Sequence, residues 1–183
     1  MSRSASPSIL RCYRRIVAQN DRMIAILDGA GPSLDARREE LSAWDVAQHL
    51  EHLGITSTLT LDLFRAFAAD GGQPPGATSG SPNFWGHLVL WTGRIPRGRG
   101  RARPEWKPRD SSPERARELI EEVRRRLPAL ARKLGEIEAS DHRVRHPVLG
   151  DFTGRQWVRF LFIHQRHHLR FIEDIAKGER RTA

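Results

Sequence analysis

Two pairs of histidines stand at spacings from which imidazole could bind a metal ion. His164 and His168 are four residues apart, and His49 and His52 are three residues apart. On a helix, residues three or four positions apart lie on the same face, so each pair would present two imidazoles side by side. Neutral imidazole suits zinc, nickel and iron alike. The spacing therefore allows a divalent-metal site built from histidine.

The cysteine content limits which side chains can form a metal site. The 183 residues include eight His but a single Cys, Cys12. One thiol can form neither an intrachain disulfide nor a thiolate cage around zinc, so any metal site must use imidazole and carboxylate. A reducing compartment is expected. No apolar run approaches the roughly 20 residues that span a bilayer, and the N-terminus shows no signal-peptide pattern, so we expect a cytoplasmic protein without a membrane partner.

Four stretches with apolar residues at helical spacing must position these histidines. They are residues 9–28, 45–70, 112–136 and 153–177. Residues 71–111 form a Gly- and Pro-rich connector, with a short helix expected after Ser81 and Pro82. No strands alternate with the helices, so the sequence predicts a single all-α domain over residues 1–183. The predicted architecture is a four-helix bundle with a long connector between helices two and three.

Local signals mark where these helices begin and where they are interrupted. Asp45 with Gln48, and Thr153 with Gln156, have the spacing of capping boxes at the starts of helices two and four. Pro128 predicts a kink or a break in helix three, and Gly178 is expected to end helix four.

Both histidine pairs fall on the apolar faces of their helices. His164 and His168 lie in the middle of the helix-four stripe, and His49 and His52 lie in that of helix two. An unsatisfied buried polar group costs on the order of 1 to 3 kcal/mol, so each imidazole needs a partner. Hydrogen bonds to backbone or neighbouring side chains would supply partners, and one divalent ion would satisfy three imidazoles together. The spacing leaves both interpretations open.

Two motifs resemble the DinB/YfiT-like superfamily. The stretch from Trp44 to Leu53, WDVAQHLEHL, resembles the start of helix two in that family, where a ligand His lies eight positions after a Trp. The stretch from Ile163 to Ile172, IHQRHHLRFI, resembles the closing motif, in which the first His and the second of the adjacent pair bind metal. His146 to Gly150 and the Arg- and Pro-rich connector are similar to those of a DinB-like subgroup.

The resemblance implies a four-helix bundle, often a homodimer, with a three-histidine metal site. Carried over by position, the ligands are His52, His164 and His168. His49 shares the face of His52 and is the alternative first ligand. His167, about 60° around the helix from His164, is expected to support a ligand or to lie on the surface.

Three imidazoles leave an ion such as zinc with an open position for water or for a substrate thiol. The leading hypothesis is therefore a metal-dependent enzyme that activates a thiolate or a water against a small-molecule substrate. The family resemblance favours the thiolate, because its enzymatic branch contains S-transferases and isomerases that use low-molecular-weight thiols. No catalytic residue is assigned from the sequence. A purely structural metal is the alternative within the same fold.

The charge balance supports a second class of function. Lys and Arg number 31 against 22 Asp and Glu, a net charge of +9, and seven of these cations fall between Arg94 and Arg109. Arg94, Arg97 and Arg99 are candidate anion contacts over the mouth of the bundle; the alternative is a solvated loop. A basic module that binds nucleic acid or another anion is the competing hypothesis. Nucleic acid is not the expected partner, because no nucleic-acid-binding motif is present.

Overall fold

The computed structural model describes residues 3–69, 73–97, 103–108 and 112–182. For residues 179–182 it describes the backbone alone. Its helices are α1 (Pro7–Leu27), α2 (Val46–Phe67), α3 (Phe84–Thr92), α4 (Pro113–Ala139) and α5 (Gly154–Thr182). Its strands are β1 (Ala77–Thr78), β2 (Arg143–His146) and β3 (Gly150–Thr153), and a single 3₁₀ turn covers Pro104–Trp106.

The four long helices lie where the apolar periodicity predicts them. Their ends differ from the predicted ones by a few residues. The prediction that Gly178 ends the last helix is wrong, because α5 continues to Thr182; one glycine inside a helix costs only about 1 kcal/mol. Of the two alternatives predicted at Pro128, a kink or a break, the break is also wrong. The helix α4 continues through this proline, and the buried Leu127 and Leu130 beside it anchor both flanks in the core.

Both predicted capping boxes form. The Asp45 carboxylate accepts a hydrogen bond from the Gln48 amide at 2.7 Å, and the Gln48 side chain accepts one from the Asp45 amide at 3.1 Å. At the start of α5, the Gln156 side chain accepts from the Thr153 amide at 2.9 Å, and the Thr153 hydroxyl accepts from the Gln156 amide at 3.3 Å. These contacts fix the first turns of the two helices that carry the histidine pairs.

The prediction of an all-α fold is wrong in one respect, since a small sheet accompanies the helices. The strands β1, β2 and β3 form an antiparallel sheet in that order, with Val144 opposite both Ala77 and Phe152. Strands of two to four residues are too short to show a periodicity in the sequence. Gly150 opens β3 at a φ of +85°, and a Cβ there would lie 2.5 Å from the Asn83 amide nitrogen. Only glycine fits both the backbone angle and the close approach.

The long helices pack pairwise around the core. Helix α2 packs against α4 and α5, and α1 packs against the same two helices. Gly54 allows a close approach of α2 and α4, because a Cβ at this position would lie 2.5 Å from the Leu119 Cβ. The contact between α2 and α5 brings the two histidine pairs to one place.

The predicted connector contributes α3, which packs on α5, and the 3₁₀ turn, which packs on α2. Its residues 71, 72, 98–102 and 109–111 lie outside the described part of the chain. In the described ranges, no helix is both long enough and apolar enough to cross a membrane.

Candidate metal centre

Three histidines from two helices converge. His52 of α2 and His164 and His168 of α5 each offer a ring nitrogen, and these three nitrogens lie within 4.8 Å of one another. His52 and His168 are buried, and His164 is half-buried. These are the three residues that the family resemblance carries over as ligands. A set of three imidazole nitrogens is the donor set found in catalytic zinc sites.

The hydrogen bonds of His52 define which of its nitrogens faces the cluster. Its Nδ1 lies 2.7 Å from the main-chain oxygen of Trp106. A carbonyl oxygen only accepts, so Nδ1 carries the proton and Nε2 keeps its lone pair. That Nε2 lies 3.3 Å from Nε2 of His164. The Trp106 carbonyl therefore turns the lone pair of His52 toward the second histidine.

The fourth imidazole of the cluster, His49, contacts His168. The two Nδ1 atoms lie 3.0 Å apart, so one of them donates to the other. The Nε2 atom of His49 is buried and has no hydrogen-bond partner among the described residues. His49 is thus part of the cluster, but its nitrogens are not among the three that converge.

Aromatic rings enclose the imidazoles. The ring centroid of Trp44 lies 4.9 Å from that of His52, 5.5 Å from that of His49 and 6.0 Å from that of His168. Phe171 stacks on His49 at 5.3 Å, and Phe160 stacks on His164 at 5.6 Å. This apolar surround keeps water away from one side of the ring nitrogens and strengthens the electrostatic interactions among them.

Burial holds the clustered imidazoles neutral. It lowers the pKa of His49 to about 3, and the nearby His52 and His167 act in the same direction. Burial also lowers the pKa of His52, which its bond to the Trp106 carbonyl partly opposes. The pKa values of His164 and His168 fall well below the usual range, first through burial and then through neighbouring imidazoles. Near pH 7 these rings are neutral and can offer lone pairs to a cation.

The arrangement fits a divalent ion. Without an ion, the two facing nitrogens of His52 and His164 make a hydrogen bond only if Nε2 of His164 carries a proton. An ion between them would accept both lone pairs and one from His168. The donor set is all nitrogen, which suits zinc, nickel and iron and does not choose among them.

Comparison with known proteins places this arrangement in a family. A family model described as the DinB superfamily matches residues 15–172, which include all four histidines of the cluster. The chain belongs to the DinB superfamily. The comparisons with curated proteins and with solved structures gave no match. The resemblance inferred from the Trp44 and Ile163 motifs is thereby confirmed.

The other predicted residues of this DinB superfamily protein lie around the cluster or away from it. His167 is half-buried, and its ring packs edge-on against His168 at 5.2 Å and against Phe171 at 5.1 Å. Its pKa is lowered to about 4, first by burial and then by the charge of Arg97. His167 therefore borders the three converging nitrogens and is not one of them.

The two described candidate anion contacts, Arg94 and Arg97, separate in the fold. Arg97 lies 4.4 Å above the Phe171 ring and pairs with Asp174 at 2.6 Å, so it stands at the edge of the cluster. Arg94 is exposed, and its charge adds to burial and to the charges of Arg170 and Arg15 in lowering the pKa of Arg166 on α5. Arg99 lies outside the described residues.

The sequence assigned no role to two parts of this DinB superfamily site. The carbonyl of Trp106 orients His52 from the 3₁₀ turn, although backbone oxygens leave no trace in residue type. His146 accepts two backbone hydrogen bonds at its Nδ1, from Val148 and Leu149, which places its proton on Nε2. Its ring lies 4.7 Å from Phe160, which also stacks on His164.

Proposed function

We propose that this protein binds one divalent metal ion through His52, His164 and His168 and uses it as a metal-dependent enzyme. The reaction is a thiol-dependent S-transfer to a small electrophile, or a hydrolysis that uses water in place of the thiol. The four long helices would then form the bundle of the family, with the site between α2 and α5. The observation that carries the proposal is the convergence of three neutral imidazole nitrogens within 4.8 Å.

The hydrogen bonds support Nε2 as the binding atom on all three residues. Nδ1 of His52 is occupied by the Trp106 carbonyl, and Nδ1 of His168 is occupied by His49. His164 already presents its Nε2 to His52. Metal-binding histidines commonly donate their other N–H to a neighbouring acceptor, which fixes the ring and raises its basicity.

A divalent ion in this position would acidify a bound water or thiol and so supply a nucleophile near pH 7. The chain's own residues shape the surroundings. Trp44 and Phe171 exclude water from the histidine cluster. Arg97 brings a guanidinium to its edge, where the anionic group of a thiol cosubstrate or a substrate could bind in competition with Asp174.

Metal analysis tests the first part of this proposal. Protein purified without an affinity tag is analysed for zinc, nickel and iron, then stripped and titrated with each metal. The proposal predicts one ion per chain in the wild type and none in His164→Ala. His142→Ala, which removes an exposed imidazole outside the cluster, is the matched control and keeps the ion. Wild-type protein that neither contains nor takes up a divalent metal contradicts the proposal.

An activity screen separates an enzyme from a bundle with a structural metal. The loaded protein is incubated with low-molecular-weight thiols and an electrophile, and thiol loss and product formation are followed. We expect turnover that disappears in the stripped protein and in His164→Ala. The metal is structural if neither the loaded nor the stripped protein is active, and if the stripped protein keeps its helical circular dichroism but loses thermal stability.

A further inference from the structure

A long groove runs between α1 and α5 outside the histidine cluster. It consists of two adjoining cavities of about 380 and about 570 Å³, which share Arg22, Leu169 and Glu173. None of the four clustered histidines lines either cavity. Volumes in this range are typical of small-molecule sites.

The smaller cavity is strongly basic. Its lining includes four arginines: Arg15, Arg22, Arg166 and Arg170. Glu173 is its single acidic lining residue. None of the four guanidinium groups makes an ion pair with a carboxylate within the described ranges, whereas the arginines of α4 at 115, 117, 124 and 125 do. This end of the groove therefore holds an excess of positive charge that the described part of the chain does not neutralise.

The arginines are positioned by aromatic and backbone contacts. The guanidinium groups of Arg15 and Arg166 lie 5.2 and 4.7 Å from the centre of the Phe162 ring. Arg166 also donates to the carbonyl of Gly93. Burial, and then the charges of Arg170 and Arg15, lower the pKa of Arg166. The cationic groups are thus held close together against their mutual repulsion, which a bound anion would relieve.

The larger cavity is mainly apolar. Its lining includes Ile26, Pro32, Leu169, Ile172 and Ala176. Its charged lining residues are Arg22, Glu173 and Lys177, and Lys177 bonds to Asp174 at 2.8 Å. The groove consequently changes from cationic to apolar along its length.

We propose that this groove binds an amphiphilic anion, a phosphate or carboxylate head on a hydrocarbon chain. The head group would lie among Arg15, Arg166 and Arg170, and the chain would follow Leu169 and Ile172. A small inorganic anion fills only the basic end, and a neutral hydrocarbon leaves the guanidinium groups without a counter-charge. A second copy of the protein does not fit, because it would bring the same arginines face to face.

Calorimetric titration with three probes tests this proposal. Monododecyl phosphate below its micelle concentration should bind one per chain, and inorganic phosphate and dodecyl maltoside should bind at least about tenfold more weakly, since each lacks one half of the ligand. Equal affinity for monododecyl phosphate and inorganic phosphate would overturn the proposal. Vesicles of anionic phospholipid form a further arm. Binding to vesicles but not to the monomeric amphiphile would contradict binding in the groove and indicate a membrane surface.

Substitutions in the groove test whether its residues bind the amphiphile. Arg15→Ala combined with Arg170→Ala should weaken monododecyl phosphate by at least about tenfold through lost charge-assisted hydrogen bonds. Ala176→Glu should weaken it by placing a carboxylate in the apolar end. Arg132→Ala, an exposed arginine on α4, is the matched control and should leave affinity unchanged.

Three further measurements separate this proposal from its alternatives. Circular dichroism and metal content should be unchanged in all these variants, so a failure of the groove proposal is distinct from a failure of the metal site. A single-stranded oligonucleotide that binds more tightly than the amphiphile and ignores Ala176→Glu would overturn the proposal in favour of a nucleic-acid surface.

Discussion

The clustered histidines differ in what holds the nitrogen that faces away from the proposed ion. His52 is held by a backbone carbonyl, and His168 is held by another imidazole, His49. If His168 binds through Nε2, its Nδ1 carries the proton and donates it to Nδ1 of His49. His49 then carries its own proton on Nε2. In this arrangement His49 accepts a hydrogen bond from a ligand, whereas the sequence suggested His49 as an alternative ligand itself.

Replacing His49 tests that role. We expect His49→Phe to weaken metal affinity by about 10- to 100-fold, the usual effect of losing a group that orients a ligand. His49→Gln keeps an acceptor and should lose less. Competition with a chelator of known affinity measures both. Wild-type affinity in His49→Phe would show that the contact does not support His168, and complete loss of the ion would make His49 itself a ligand.

The spacing of the histidines could be interpreted from the sequence because it is local. Their contacts with one another and with Trp106 could not be predicted from the sequence. A pair four residues apart on an amphipathic helix can be recognised in the sequence. The contact from His49 to His168 joins residues 119 positions apart, and that from His52 to Trp106 joins residues 54 apart. Such contacts depend on how the helices pack, so the sequence could nominate His49 but not assign its role.

At the scale of elements, α2 carries His52 near its start, one turn after its capping box. Asp45→Ala removes the acceptor for the Gln48 amide. We expect it to lower the free energy of unfolding by about 0.5–2 kcal/mol. Because the first turns of α2 also position His49 and His52, metal affinity should fall as well. Urea denaturation and a metal titration measure the two effects.

The cap of α4 gives a matched control for this variant. Ser112 accepts a hydrogen bond from the Arg115 amide at 3.2 Å, far along the chain from the histidines. Ser112→Ala should lose comparable stability and keep wild-type metal affinity. Equal losses of affinity in both variants would mean that general destabilisation, and not the start of α2, controls the site.

Gly54 allows a close approach of α2 and α4. Gly54→Ala would bring a Cβ within 2.5 Å of the Leu119 Cβ. Overpacking of this kind lowers the free energy of unfolding by about 1–3 kcal/mol, and the higher helix propensity of alanine raises it by about 1 kcal/mol. We expect a net loss of stability in urea denaturation. Adding Leu119→Gly, which removes the opposing Cβ, should cost less than the two single changes combined, and strict additivity would show that the clash is absent.

The helices were predictable because their apolar residues repeat over many turns and their ends carry capping residues. The sheet was not, since β1 has two residues and β2 and β3 have four each. Its geometry depends on Gly150, whose positive φ and close contact with Asn83 only the folded chain reveals. A short strand formed in this way has no period to detect.

At the scale of the whole molecule, the buried imidazoles set the response to acid. Burial and nearby charge lower the pKa of His146 and of His167 to about 4, and that of His49 to about 3. In the unfolded chain each returns to roughly 6.5. Between these values the unfolded chain binds more protons than the folded one, so the free energy of unfolding falls as pH falls.

We therefore expect metal-free protein to lose stability steadily as the pH falls from about 6.5 toward 4, by about 1.4 kcal/mol per pH unit for each proton taken up on unfolding. Urea denaturation across this range measures the slope. His167→Gln should reduce it by one proton, and His142→Gln, at an exposed position, serves as the control. Stability that is constant or that rises on acidification would contradict the neutral, buried state of these rings.

Membership of the superfamily could be predicted from two ten-residue motifs, because they combine the helix start with the histidines. The net charge of +9 was harder to interpret from composition. In the fold, part of it collects in the groove between α1 and α5, where residues from both ends of the chain meet. The homodimer, the reaction and the thiol stay predictions, since they depend on molecules outside this chain.

The most direct test of the account is the position of the ion itself. Crystals of the loaded protein, measured on both sides of the absorption edge of the bound metal, locate it by anomalous scattering. We expect one peak per chain, at about 2.0–2.1 Å from Nε2 of His52, His164 and His168 if the ion is zinc. No peak in the cluster, or a peak bound by other residues, would contradict it.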